Sequence, residues 1–285
     1  MTTYQDIWKP LVALYGEAEA KAVARLLLDD GFGLSLADVL CGRIEQLPAA
    51  SEALLRQMLS RLLRGEPVQY VLGKADFGPR SFLVAPGVLI PRPETYELCQ
   101  WVVADATSFT SRTAPLTVLD IGTGSGCIAC TLAAELAGSE VTAWELSPEA
   151  LQVARANGRR IGVGVSFQRR DMLAVRYGSD AGRWDIVVSN PPYVCESEAE
   201  QMEPWVLGHE PHMALFVADD DPLLFYRHIS NYAQSALKEG GRLYFEINPL
   251  FDEGIEDMLL GLGFDDIVCR EDQFGKQRFI KATWH

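Results

Sequence analysis

From residue 116 onward, short apolar runs alternate with longer amphipathic ones, and no other feature narrows the possible folds of this chain so far. LTVLDIG, VTAWEL, VSFQRRD, WDIVVSN and GRLYFEIN read as strands. CIACTLAAELAG, SPEALQVARANGRRIG, PLLFYRHISNYAQSALKEG and FDEGIEDMLLGLG, which stand between or after them, read as helices. Several of these strands are apolar almost throughout, so both of their faces are buried. That is the signature of a parallel sheet covered by helices on both sides. FDDIVCRED and QRFIKATW close the chain as a terminal strand pair. Ligands of such sheets bind beyond the carboxyl ends of the strands, near the point where strand order reverses.

Upstream the texture differs. Residues 4–64 read as helices, with Leu55, Met58, Leu59, Leu62 and Leu63 at helical spacing and Gly16, Gly31, Gly33 and Gly65 as punctuation. Residues 66–93 are rich in Gly and Pro, and FGPRSFLVAPGVLIPRP predicts a hairpin. TSFTSRTA, at 107–114, reads as a linker into the first strong strand. The expected organisation is a helical domain over 1–75, a hairpin and linker over 76–112, and a catalytic α/β domain over 113–285.

Composition excludes some functions. No apolar run reaches the ~18 residues of a membrane span. The start, MTTYQDIWKP, has neither a basic opening nor an apolar h-region. No signal peptide is expected, and the cytoplasm is the expected location. Net charge is −14, and residues 1–80 carry 10 acidic and 9 basic side chains, so nearly all the excess lies in the α/β part. Such a region repels a phosphate backbone, which disfavours a nucleic-acid partner. Cys127 and Cys130 form a C-x-x-C pair with no second pair to complete a zinc site. Inside a predicted helix they read as small buried side chains. His209 and His212 bracket Glu210-Pro211, a loop signal, and lack a third ligand. No metal is expected.

Three strand ends can be read as one site. The first is Asp120-Ile121-Gly122-Thr123-Gly124-Ser125-Gly126, a glycine-rich turn opening onto a helix. A dinucleotide fingerprint needs glycine at 127, where Cys127 stands, and a P-loop needs a Gly-Lys-Ser/Thr ending that is absent. The second is Glu145, whose carboxylate can accept both hydroxyls of a ribose, or serve only as a charge before the next helix. The third is Asp171-Met172, able to hydrogen-bond an adenine amine and pack on its ring, or simply to turn a loop. Ribose, adenine and a glycine loop without a phosphate signature fit S-adenosylmethionine.

The fourth strand ends in Asn190-Pro191-Pro192-Tyr193. A sulfonium methyl is already activated, so the remaining task is to aim a nucleophile. Amide and aromatic-amine nitrogens are poor nucleophiles. The Asn190 side-chain carbonyl and the Pro191 backbone carbonyl can each accept one N–H of an NH₂ group and add electron density as charge develops. The prolines stiffen these acceptors, and Tyr193 can pack on a planar group.

These motifs resemble the amino-methyltransferases acting on planar NH₂ groups, and more narrowly the bacterial release factor glutamine N5-methyltransferases. The narrower resemblance rests on Ile90-Pro91-Arg92-Pro93-Glu94-Thr95, Pro67-Val68-Gln69-Tyr70, Glu210-Pro211 with Ala214-Leu215, and Gly275-Lys276-Gln277-Arg278. It covers 50–285 and, in kind, the N-terminal helices. It implies a seven-stranded Rossmann-like class I methyltransferase core, a small N-terminal helical bundle for substrate docking, and a connecting β-hairpin. It further implies methylation of the glutamine of the Gly-Gly-Gln loop of peptide chain release factors; a monomer is expected. Carried over by position, Gly122, Thr123, Gly124, Ser125, Gly126, Glu145, Asp171, Met172 and Asn190 hold the cofactor. Asn190, Pro191, Pro192, Tyr193 and Arg92 hold the glutamine, with Asn190, Pro191 and Tyr193 as the catalytic set. Tyr96 and Met172 stand where family members commonly carry Glu and an aromatic residue.

Other functions stay open at this level. One is a glutamine methyltransferase of a ribosomal protein; another is a DNA or RNA amine methyltransferase; a third is a catalytically silent binding module.

Overall fold

The computed structural model describes residues 3–107 and 114–285, so most of the expected linker at 107–114 lies outside the described residues. The chain divides into two compact units. The first comprises residues up to 75 together with 84–86 and 202–210. Its helices are α1 (Tyr4–Trp8), α2 (Val12–Phe32), α3 (Leu36–Leu40), α4 (Ala49–Leu62) and α5 (Val68–Leu72). Ile7, Leu11, Leu27, Leu28, Leu55 and Leu62 fill its core. Gly31 sits inside α2, which runs on to a left-handed cap at Gly33, while Gly16 marks a kink. Leu63, just past α4, is 43% exposed and belongs to no core. In the 202–210 segment, Trp205 packs 4.9 Å from Tyr15.

A hairpin forms, but earlier than the predicted 77–93 stretch: β1 (Lys74–Phe77) and β2 (Arg80–Leu83) are joined at Gly78-Pro79, and residues 84–92 add no strand. Phe77 and Phe82 lie edge to face and are buried in the core of the second unit. Tyr96, on α6 (Pro93–Ala106), packs edge-on against Phe77, a hydrophobic use of that position.

The second unit then follows the predicted alternation: β3 (Thr117–Ile121), α7 (Cys127–Glu135), β4 (Glu140–Glu145), α8 (Pro148–Ile161), β5 (Val165–Arg169) and β6 (Trp184–Ser189). Short elements intervene: β7 (Val194–Cys195), then α9 (Pro204–His209), which belongs to the first unit, then α10 (His212–Leu215) and β8 (Phe216–Val217). The chain ends with α11 (Leu224–Ala236), β9 (Leu237–Glu246), α12 (Asp252–Gly261), β10 (Asp265–Glu271) and β11 (Gln277–Trp284). Seven strands form one sheet in the order β10-β11-β9-β6-β3-β4-β5. All neighbours pair in parallel except at β11, which runs antiparallel to both β9 and β10. Every residue of β6 is buried: Ile186, Val187 and Val188 as apolar side chains, Asp185 in an ion pair with Lys238 at 2.8 Å, and Ser189 with its hydroxyl donating to the Ile121 carbonyl at 2.7 Å. One face packs Leu119, Val187 and Phe245 under α11 and α12; the other packs Val118, Val188 and Tyr244 against α6 and α7.

Local signals set the helix starts. α8 opens with Ser147, whose hydroxyl accepts from the Ala150 amide at 3.1 Å, then Pro148 at the first helical position, and it ends on a left-handed Gly162. Cys127 and Cys130 are buried thiols on α7, both pushed up to about 12 by burial. Among the described residues, no helix is long and apolar enough to cross a membrane.

Candidate functional site

The register of the sheet brings the strand ends to one level. Ile121 pairs with Trp144 on β4 and with Ser189 on β6, and Glu145 pairs with Arg169 on β5. One step beyond those pairs stand Gly122, Glu145 and Asn190. The chain moves outward from β3 through β4 to β5 and then returns to β6 on the other side of β3. The reversal leaves a crevice at the carboxyl ends. A cavity of about 390 Å³ occupies it, within the range of small-molecule sites. Gly122, Glu145, Met172, Asn190, Pro191 and Arg92 are among the residues of its wall.

The glycine turn is held from below and from the side. Asp120 is fully buried; its Oδ2 accepts from the Thr123 hydroxyl at 2.5 Å and from the Ala129 amide at 3.1 Å. Burial raises its carboxyl to about 7 against those two bonds, and the Glu145 charge adds to the rise. From the side, Glu145 accepts the Gly124 amide at 2.8 Å with one oxygen and the Ser147 amide at 2.9 Å with the other. It therefore ties the turn to the start of α8. A carboxylate offers about four lone-pair sites, so two backbone bonds leave about two for a ligand.

The glycines divide by role. Gly124 has φ +54°, and a Cβ built there meets nothing within 4 Å, so the backbone is bare toward open space. Gly126, with φ +82°, is absent from the cavity wall, and a Cβ there would sit 3.1 Å from the Ala154 Cβ on α8. Gly126 lets α7 and α8 approach one another. This packing role differs from the cofactor role that the sequence suggested for it.

Asp171 caps a short turn through the Leu173 amide at 2.9 Å, and Met172 is buried beside it with its side chain in the core cluster of Trp144 and Ile121. Both line the cavity. Arg170, also on the wall, lies 4.4 Å above the Trp144 ring.

Asn190, Pro191 and Pro192 face the cavity, but Tyr193 does not. Its ring packs against the core and its hydroxyl donates to Glu246 Oε1 at 2.9 Å. Glu246 Oε2 accepts the Thr95 hydroxyl at 2.6 Å, and the Thr95 oxygen accepts from Asn190 Nδ2 at 3.1 Å. Glu246 is buried; burial raises its carboxyl, while the two hydroxyl donors and the Arg278 charge act the other way. Burial and the Glu246 charge push the Tyr193 phenol well up. Asn248 Nδ2 donates to the Tyr193 carbonyl at 3.1 Å, fixing the turn from behind. Glu246 and Asn248 went unread in the sequence because they look like the polar end of an apolar strand.

Residues 107–207 match the methyltransferase small domain, and residues 11–73 match the PrmC N-terminal domain. A release factor glutamine methyltransferase from Bacteroides thetaiotaomicron is 41% identical over 277 residues, covering 97% of each chain. The chain belongs to the release factor glutamine methyltransferase family. Its relative from Flavobacterium psychrophilum is 35% identical over 274 residues, covering 96% of this chain and 95% of that one. Among solved structures, a methyltransferase from Pyrococcus furiosus shares the fold with a TM-score of 0.51 and 18% identity, over 80% of this chain and 97% of that one.

Proposed function

We propose that this protein transfers a methyl group from S-adenosylmethionine to the side-chain amide nitrogen of the glutamine in the Gly-Gly-Gln motif of peptide chain release factors. The observation that carries the reading is the Asn190-Pro191 corner, set at the level of the glycine turn and of Glu145 around one cavity. Membership of the family supports the substrate. The donor fits the residues present: bare backbone at Gly124, spare acceptor sites on Glu145, and an apolar wall at Met172. When bound, it supplies a methyl group already activated by its sulfonium.

The chain's residues have the remaining work. The turn from Gly122 to Ser125 and Glu145 hold the ribose and the amino-acid end, while Asp171 and Met172 hold the adenine. Asn190 Oδ1 and the Pro191 carbonyl each accept one N–H of the glutamine amide, which orients the nitrogen lone pair and enriches it as charge develops. Arg92 borders the substrate side. No general base is required, since the amide nitrogen becomes strongly acidic once alkylated and loses its proton afterwards.

The helical unit serves as a docking element for the body of the release factor, because a flexible Gly-Gly-Gln loop offers little surface of its own. A cytoplasmic monomer suits this role. A nucleic-acid amine is the second reading, since an Asn-Pro-Pro-Tyr corner suits any planar NH₂ group; the acidic balance of the α/β part weighs against it. The test is methyl acceptance from labelled donor by intact release factor and by factors whose loop glutamine is changed to Ala or Asn. Label on the first alone is expected. Equal label on all three would overturn the assignment.

A further inference from the structure

The relay behind Asn190 has a direction. Thr95 has one hydroxyl proton, and it is donated to Glu246 Oε2 at 2.6 Å. Its oxygen can then only accept from Asn190, so the NH₂ end of the Asn190 side chain is drawn to Thr95 at 3.1 Å. The carbonyl end is thereby turned to the cavity. A carboxamide is nearly symmetric in shape, so packing alone cannot choose between its two ends; a hydrogen bond of fixed polarity can. The polarity originates at Glu246, whose other oxygen accepts the Tyr193 hydroxyl at 2.9 Å and whose charge faces that of Arg278. Parallel pairing of Ser189 with Phe245 puts Asn190 and Glu246 one residue past the same rung, and Thr95 on α6 bridges them.

We propose that Glu246 and Thr95 are positioning residues that fix which end of the Asn190 amide meets the substrate, and so make the site select an N–H donor over an acceptor. This inference rests on the reading that Asn190 accepts from a glutamine amide. Removing the Thr95 hydroxyl frees Asn190 to flip and offer its NH₂ to the cavity, where it repels the substrate NH₂ and welcomes a carboxylate.

The experiment uses full-length Thr95→Val, Thr95→Ser and Glu246→Gln proteins with intact release factor as substrate and a Gly-Gly-Glu release factor as competitor. Thr95→Val and Glu246→Gln should lose turnover by about 10–100-fold, the scale of lost supporting hydrogen bonds. Their KM for S-adenosylmethionine should stay within about threefold. Thr95→Ser, which keeps the hydroxyl, should retain turnover. The Gly-Gly-Glu factor should inhibit Thr95→Val about tenfold more strongly than wild type, which loss of structure alone would not produce. Calorimetry with S-adenosylhomocysteine reports whether each variant is folded, and Thr95→Ser against wild type decides the matter if Thr95→Val binds nothing: a Thr95→Ser protein as impaired as Thr95→Val overturns the proposal. Unchanged turnover and unchanged Gly-Gly-Glu inhibition in a folded Thr95→Val protein also overturns it. If wild type itself leaves the release factor unmethylated, the functional reading has failed before the relay is tested.

Discussion

Replacing Glu145 by Gln keeps the shape of the side chain and removes its charge together with one acceptor oxygen. In the wild-type protein one carboxylate oxygen accepts the Gly124 amide at 2.8 Å and the other the Ser147 amide at 2.9 Å. A Gln side chain can satisfy only one of those donors, because its NH₂ end faces the other. If Glu145 also accepts the two ribose hydroxyls, each lost charge-assisted bond is worth about 1.5–3 kcal/mol, and affinity falls by roughly 10–150-fold. The two functions separate when two ligands are compared. S-adenosylhomocysteine and its 2′-deoxyribose analogue should differ in affinity for wild type, as measured by calorimetry, and should bind Glu145→Gln alike. Were both ligands weakened by the same factor in the variant, with the ribose preference intact, Glu145 would be a tie for the glycine turn and not a ribose ligand.

Asn190→Ala should lower turnover by about 10²–10³-fold, the scale for losing one positioned polar group, and leave the urea midpoint close to wild type. Gly124→Ala and Gly126→Ala share a left-handed backbone cost of about 1–2 kcal/mol. Gly126→Ala should melt at the lower temperature, because its Cβ lies 3.1 Å from that of Ala154, whereas Gly124→Ala should show the larger loss of S-adenosylhomocysteine affinity. Asp120 predicts a pH dependence. Its carboxyl rises from 3.8 to about 7 on folding, so the native state keeps the proton longer than the unfolded chain. Its contribution to stability is fully present below about pH 4 and is lost as pH climbs through 7. Urea unfolding between pH 5 and pH 8 should show wild type losing stability relative to Asp120→Asn as pH rises; parallel curves would refute this.

The succession of strands and helices, the crevice at the strand ends and most of its wall were legible in the sequence because they follow from local pattern. Apolar runs without alternation announce buried strands, and a parallel sheet presents its ligands at the strand ends. The hidden parts depend on which strand ends become neighbours. Glu246 reads as the tail of GRLYFEIN and Thr95 as the end of a proline-rich segment; only the placement of β9 beside β6 lets both meet Asn190 and Tyr193. For the same reason the inward turn of the Tyr193 hydroxyl was not legible, since periodicity carries no direction for a residue in a turn. Gly126 looked identical to Gly122 and Gly124 in the motif, and its contact with Ala154 appears only when α7 and α8 are packed. The 202–210 segment joins the first unit across more than a hundred residues of chain, a pairing that no local signal encodes.

In the proposed reaction the Asn190-Pro191 corner aims the nitrogen of a glutamine amide. The most direct test is to incubate the protein with isotopically labelled S-adenosylmethionine, a full-length release factor and duplex DNA and RNA together, and to locate the label by tandem mass spectrometry. One added methyl group on the side-chain nitrogen of the Gly-Gly-Gln glutamine, appearing about 10²–10³-fold more slowly with the Asn190→Ala protein, is the predicted result. Label on an adenine or guanine amine, or on another residue of the release factor, would contradict it.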